Sequence, residues 1–134
     1  MKQAAPLRSD FAWWTQEKLR NADTDQFVHV NHAVLCTFFE AGRLQVFAGA
    51  CSMMDGANLA IVHLELDFLR EVHFPGEVEI GTRAVSVGTT SIRFEQALFV
   101  GEACAAAARA VCVLLHPATH RAHPVPQELR QFLQ

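Results

Sequence analysis

Hydrophobic and polar positions change their period along the chain. From about Asn31 to Cys51 the apolar residues fall near helical spacing. Ala33, Val34, Phe38, Ala41, Leu44 and Ala48 mark one side, and Leu35, Phe39, Val46 and Phe47 fill most of the other. The stretch has no proline, and Gly42 and Gly49 are its only glycines. A helix apolar nearly all round is expected to be buried nearly all round. MMDGAN (53–58) supplies the break, with Asp55-Gly56 at its centre.

After Gly56 the period drops to two. In LAIVHLELDFLREV (59–72), Val62, Leu64, Leu66 and Phe68 share one face, and His63, Glu65 and Asp67 the other. Pro75-Gly76 predicts a turn, EVEIGTRAVSV (77–87) a strand, and SIRFEQALFV (91–100) a third strand after Gly88-Thr89-Thr90. ACAAAARAVCVLLH (103–116) is harder, because its alanines favour a helix by propensity. The tight Gly101-Glu102 connection and the AVCVLLH ending favour a hairpin strand, and it is read as one. Cys104, Ala106, Ala108, Ala110, Cys112 and Leu114 then form an uncharged face, small enough for a helix to lie close. FAWWTQEKLR (11–20) suits a first strand after a loose lead-in, and QELRQFLQ (127–134) a short terminal helix. One strand, one long helix and four strands in meander make an α+β architecture. So apolar a helix requires a sheet that curls round it.

The 134 residues suffice for one domain, taken as residues 1–134. The apolar fraction, 51%, exceeds the globular norm and hints at a face covered by a partner subunit. A net charge of −3 and the lack of a basic tract argue against nucleic acid. No run approaches the roughly 18 apolar residues of a membrane span, and MKQAAPLRSD lacks the apolar core of a secretory signal. Cys36, Cys51, Cys104 and Cys112 form no C-x-x-C pair, as expected of reduced thiols in the cytoplasm.

Candidate chemistry gathers where the helix begins. Asn31 is a good N-cap, and a helix start offers free N–H groups and partial positive charge. Such a site can hold a carbonyl oxygen that turns negative during acyl transfer. Asp25, six residues earlier, could act as general base on water or attack the carbonyl itself. A thioester suits so sparse a site, since a thiolate leaves without a strong acid. Asp and Asn before a helix also serve simply as caps and turn formers. His29 and His32, and His120 and His123, are spaced for metal, but neither pair has further ligands nearby, so no metal is expected. Glu40 and Arg43 stand three apart, as a helix pair or as partners to something at the helix rim.

DTDQFVHVNHAVLCTFFEAGR (23–43) resembles the signature D-x-D-x-x-G-H-V-N-N-x-x-Y-x-x-[FY]-[FL]-E-x-[AG]-R of the hotdog-fold acyl-CoA thioesterases, in their 4-hydroxybenzoyl-CoA thioesterase-like branch. Residues 64–99 are similar to the family's second block, and the likeness covers about residues 11–130. The resemblance implies an antiparallel sheet wrapped round one long central helix. It also implies a homodimer joined edge to edge, often paired again into a homotetramer, with the active site at the dimer interface. Asp25 matches the catalytic carboxylate, the N–H matching His32 polarises the thioester carbonyl, and His29 and Asn31 match positions beside them. No cofactor is implied; CoA enters as part of an acyl-CoA (or acyl-carrier) substrate.

Three positions depart from the signature: Val28 replaces its glycine, Leu35 its tyrosine and His32 its second asparagine. Val28 implies another loop path or a narrower pocket, and a lost hydroxyl at Leu35 favours an apolar acyl group. Phosphates of CoA would call on Arg70, Arg83 or Arg93, and the acyl chain would lie by Phe38 and Phe39. Two other functions fit the scaffold. One is a non-catalytic acyl-thioester or small-ligand binding protein, motivated by Val28 and Leu35. The other is a lyase, for which His63 is the nearest histidine.

Overall fold

The computed structural model describes residues 4–134, so the first three residues of the expected lead-in lie outside it. Five strands form one antiparallel sheet: β1 (Trp13–Lys18), β2 (Asn58–Phe68), β3 (Glu77–Val87), β4 (Ser91–Val100) and β5 (Ala103–Leu115). Their order is β1-β3-β4-β5-β2, leaving β1 and β2 at the edges. Helix α1 (His32–Ala48) packs on the inner face, and α2 (Gln127–Leu133) closes one end. This is the α+β hotdog arrangement. Among the described residues before β1, Arg8 is tied down rather than loose. Arg8 lies 4.5 Å over the Trp14 ring and pairs with Glu79 at 3.1 Å.

The alanine-rich segment is a strand, because pairing on both sides outweighs helix propensity. β5 bonds to β4 on one side and β2 on the other, and its Cys104 to Leu114 alternation is buried throughout. β2 differs from its sequence reading. A bulge between Ile61 and His63 shifts the register, so Ile61 lies opposite Cys112 while Leu64, Leu66 and Phe68 lie opposite Ala110, Ala108 and Ala106. The inward parity therefore changes at the bulge, and Val62 is left exposed. β2 also stops at Phe68, where the amides of Leu69 and Arg70 both donate to Ala105 O, at 2.9 and 3.0 Å.

α1 is buried along one stripe, not all round. Leu35, Phe38, Phe39, Gly42, Arg43, Val46 and Phe47 face the sheet, while Thr37, Glu40, Leu44 and Ala48 are exposed in the single chain. The helix ends at Ala48, earlier than the sequence suggests, and Gly49 caps it. Its closest approach to the sheet is at Gly42. A Cβ there would stand 2.8 Å from both Gln96 Nε2 and Ile80 Cγ2. A buried polar group lies at the same level. Arg43 Nη1 donates to Gln96 Oε1 at 3.0 Å, and Gln96 Nε2 donates to Phe39 O and Thr82 Oγ1. Arg43 is thus a core residue joined to the sheet, and it does not pair with Glu40.

Candidate active site

The loop ahead of α1 is built on its first aspartate. Asp23 is buried, and its carboxylate accepts from Arg20 N and Arg20 Nη2, both at 2.8 Å. The hydrogen bond from the Arg20 guanidinium holds its carboxyl below the usual carboxylate range. Asp23 O also accepts from Asn31 N at 2.8 Å, so the two ends of the loop are fastened together.

The second aspartate is the reactive candidate. Asp25 is half-buried, and its amide donates to His29 O at 2.8 Å. Its Oδ1 accepts from Phe27 N at 2.9 Å and His29 N at 3.3 Å. Only Oδ1 is engaged in these contacts, and a carboxylate has lone pairs to spare on Oδ2. Between them the chain turns through Val28 at φ 70°, the left-handed region that glycine favours. Val28 therefore keeps the turn that a glycine would make, with its side chain exposed, in place of the altered path its identity suggested.

Asn31 is the N-cap: its side chain accepts from Ala33 N at 2.8 Å. Val34 N and Leu35 N both donate to Asn31 O, at 3.0 and 3.1 Å. That leaves the His32 amide as the one in the first turn without an acceptor among the described residues. The His32 ring stacks on Phe68 at 4.3 Å.

Residues 69–73 form the facing wall. Val30 N donates to Val72 O at 2.7 Å, and His29 lies directly across from His73 in an antiparallel bridge. Between this wall and the helix start is a cavity of about 200 Å³, lined by His29, Val30, His32, Leu35, Phe68, Leu69, Arg70, Glu71 and Val72. That volume is small for a complete ligand site. A larger hollow, about 530 Å³, lies among Glu65, Asp67, Arg83, Glu95 and Arg109. Phe68 and Leu69 line both.

Of the expected residues, His29, Asn31 and His32 meet at the helix start and Arg70 lines the cavity there, while Asp25 is bonded to His29 N and lines neither cavity. Phe38 is buried in the core with Leu35, Phe39 and Leu98. Arg93 sits opposite Val111, five residues along β5 from the Ala106 that faces Phe68, which is about 17 Å of strand. It lines neither cavity. His63 pairs with Glu65 at 3.0 Å on the exposed side of β2. Sequence reasoning missed Glu71 and His73. Their i,i+2 spacing put them on one side of an extended segment, but nothing local tied them to His29.

Against known proteins, the model of the family described as the thioesterase superfamily matches residues 27–104. No protein of curated function matches the chain. Among solved structures, a Pseudomonas aeruginosa protein is 27% identical with a TM-score of 0.85, over 96% of this chain and 93% of that one. A Thermus thermophilus thioesterase, solved with coenzyme A and Zn, is 28% identical with a TM-score of 0.83, over 92% of each chain. A thioesterase superfamily protein from a Jannaschia species is 25% identical with a TM-score of 0.81, over 90% and 80%. The matched segment begins just ahead of Val28 and runs through the helix start, the facing wall and the first residues of β5, more than half of the sequence. The chain belongs to the thioesterase superfamily.

Proposed function

We propose that this chain hydrolyses acyl-CoA thioesters, or acyl-carrier thioesters, to free acid and thiol. Membership of the superfamily supports thioester hydrolysis as the reaction class, and the coenzyme A bound to the Thermus relative supports a CoA-type substrate. One observation carries the residue assignment. The first turn of α1 keeps a single amide uncommitted, that of His32, beside a loop that holds the Asp25 carboxylate by main-chain bonds.

In this reading the His32 N–H donates to the thioester carbonyl oxygen and takes up the negative charge of the tetrahedral intermediate. Asp25 removes a proton from water as the water oxygen bonds to the carbonyl carbon. The C–S bond then breaks, and the thiolate departs and takes up a proton. Alternatively the carboxylate attacks first, and water hydrolyses the resulting anhydride. Leu35, buried at the cavity with no hydroxyl, favours an apolar acyl group. Arg70 at the cavity rim would meet CoA phosphate. Val28 preserves the loop's turn, which removes one ground for a purely binding protein.

A homodimer joined along β2 would complete so small a cavity, and a second pairing would give a tetramer. The exposed Ile61, Val62, Phe68 and Leu69 on and beside this edge strand support that assembly. All four cysteines are free, which supports a cytoplasmic setting, and no helix among the described residues is long and apolar enough to cross a membrane.

The decisive test is Asp25→Asn, which retains the Oδ1 acceptor for Phe27 and His29. Thiol release from a panel of short, long and aromatic acyl-CoAs should fall by about a hundredfold or more, with the thermal midpoint nearly unchanged. A variant as active as the parent would remove Asp25 from the reaction.

A further inference from the structure

We propose that His29, Glu71 and His73 form a binding site for a divalent transition-metal cation. Their ligand atoms all lie within 4.8 Å of one another. Glu71 Oε2 stands 3.1 Å from His29 Nε2 and 3.4 Å from His73 Nε2. A tetrahedral ion with bonds near 2.05 Å separates its ligands by about 3.3 Å, so two of the three separations already match. The two imidazoles need only close on each other, and all three side chains are exposed enough to turn.

The backbone explains why these three converge. His29 and His73 are directly opposed across an antiparallel bridge, which sets their Cβ atoms about 5 Å apart. Their rings meet edge to face at 5.2 Å. Glu71 is two residues before His73, so an extended chain turns both to one side. Main-chain bonds fix both strands of the bridge: Val30 N to Val72 O at 2.7 Å and Asp25 N to His29 O at 2.8 Å. Two imidazoles and a carboxylate are the donor set of Zn²⁺ and Co²⁺ sites that keep a position open for water. His29 and Glu71 also line the cavity by the helix start. A bound cation would clamp the loop carrying Asp25 to the facing wall. The site does not rest on the thioesterase reading, since its test needs no turnover.

The test uses the full chain, free of tags and stripped with chelator, titrated with Co²⁺ alone and then Zn²⁺ alone. Expected are a visible d–d band of a four- or five-coordinate Co²⁺ centre and a Zn²⁺-dependent rise in melting temperature. His73→Ala and Glu71→Gln should each weaken Co²⁺ binding by about tenfold or more. Circular dichroism checks that both fold, and Glu71→Gln, an isosteric change on an exposed side chain, decides if His73→Ala does not. The proposal is overturned by a spectrum of aqueous Co²⁺ only, by variants that bind like the parent, or by a thiolate-to-cobalt charge-transfer band. That last result would assign binding to Cys36 or Cys51 instead.

Discussion

The two ends of α1 were made for different purposes. At its tail, Val46 and Phe47 join Ala50, Met54, Ile92, Phe94, Leu114, Leu129 and Leu133 in one apolar cluster, sealed by α2. At its head, His32 and Ala33 are exposed, the cap is a single asparagine side chain, and the neighbours are histidines and carboxylates. At the tail, burial is the chief source of stability. The head also buries Leu35, Phe38 and Phe39 in an apolar cluster with Val30, Val72 and Leu98, but its first turn presents polar groups at the surface beside that cluster. The tail cluster lies a helix length from the candidate site, so truncations there should leave the geometry of the helix start unchanged.

Phe47→Ala should sharpen that contrast most. Phe47 is buried and meets the Phe94 ring edge-on at 5.8 Å. Its truncation should cost about 3–5 kcal/mol in denaturant unfolding, with turnover per folded molecule unchanged. A fall in turnover of the folded fraction would show that the tail governs the head.

Asp23→Ala should cost about 2 kcal/mol, because it removes the two charge-assisted hydrogen bonds that tie Arg20 to the buried Asp23 carboxylate. The pH dependence has a fixed sign. The carboxyl titrates lower in the folded state than in the unfolded chain, where its pKa is about 3.9. Its contribution is therefore complete above the unfolded value and is lost as pH falls through the lower, folded one. Unfolding curves of parent and variant should converge in acid. Curves that stay parallel down to the lowest accessible pH would deny the ion pair its role.

The smallest effect is expected at Val28. A left-handed residue with a side chain costs roughly 1–2 kcal/mol, and glycine gives back part of the gain as chain entropy. Val28→Gly should stabilise the protein by about 0.5–1 kcal/mol, read from the urea midpoint. A loss of stability would mean that the valine side chain makes contacts worth more than its backbone cost.

The elements were legible in the sequence wherever one local signal ruled. Asn31 announced the helix, period-two alternation marked β4, and the tight Gly101-Glu102 connection with the AVCVLLH ending marked β5. Long-range features were not legible. The bulge beside Val62 changes which residues of β2 face inward, and no residue type there announces it. The stripe of α1 became clear only once the sheet chose its side, since Leu44 is as apolar as Val46. The helix start could be read because Asp25, Asn31 and His32 are close in the chain. Glu71 and His73 come to His29 from more than forty residues away, through a bridge that no local pattern encodes.

Gly42 gives the helix a fulcrum. It rests on Ile80 and Gln96 with no side chain between, ten residues from His32, or about 15 Å along the axis. A tilt of roughly 4° about that point would swing the head by about 1 Å, a displacement that can cost a reaction about a hundredfold. The helix residue with no side chain therefore sets the aim of the proposed site at the helix head.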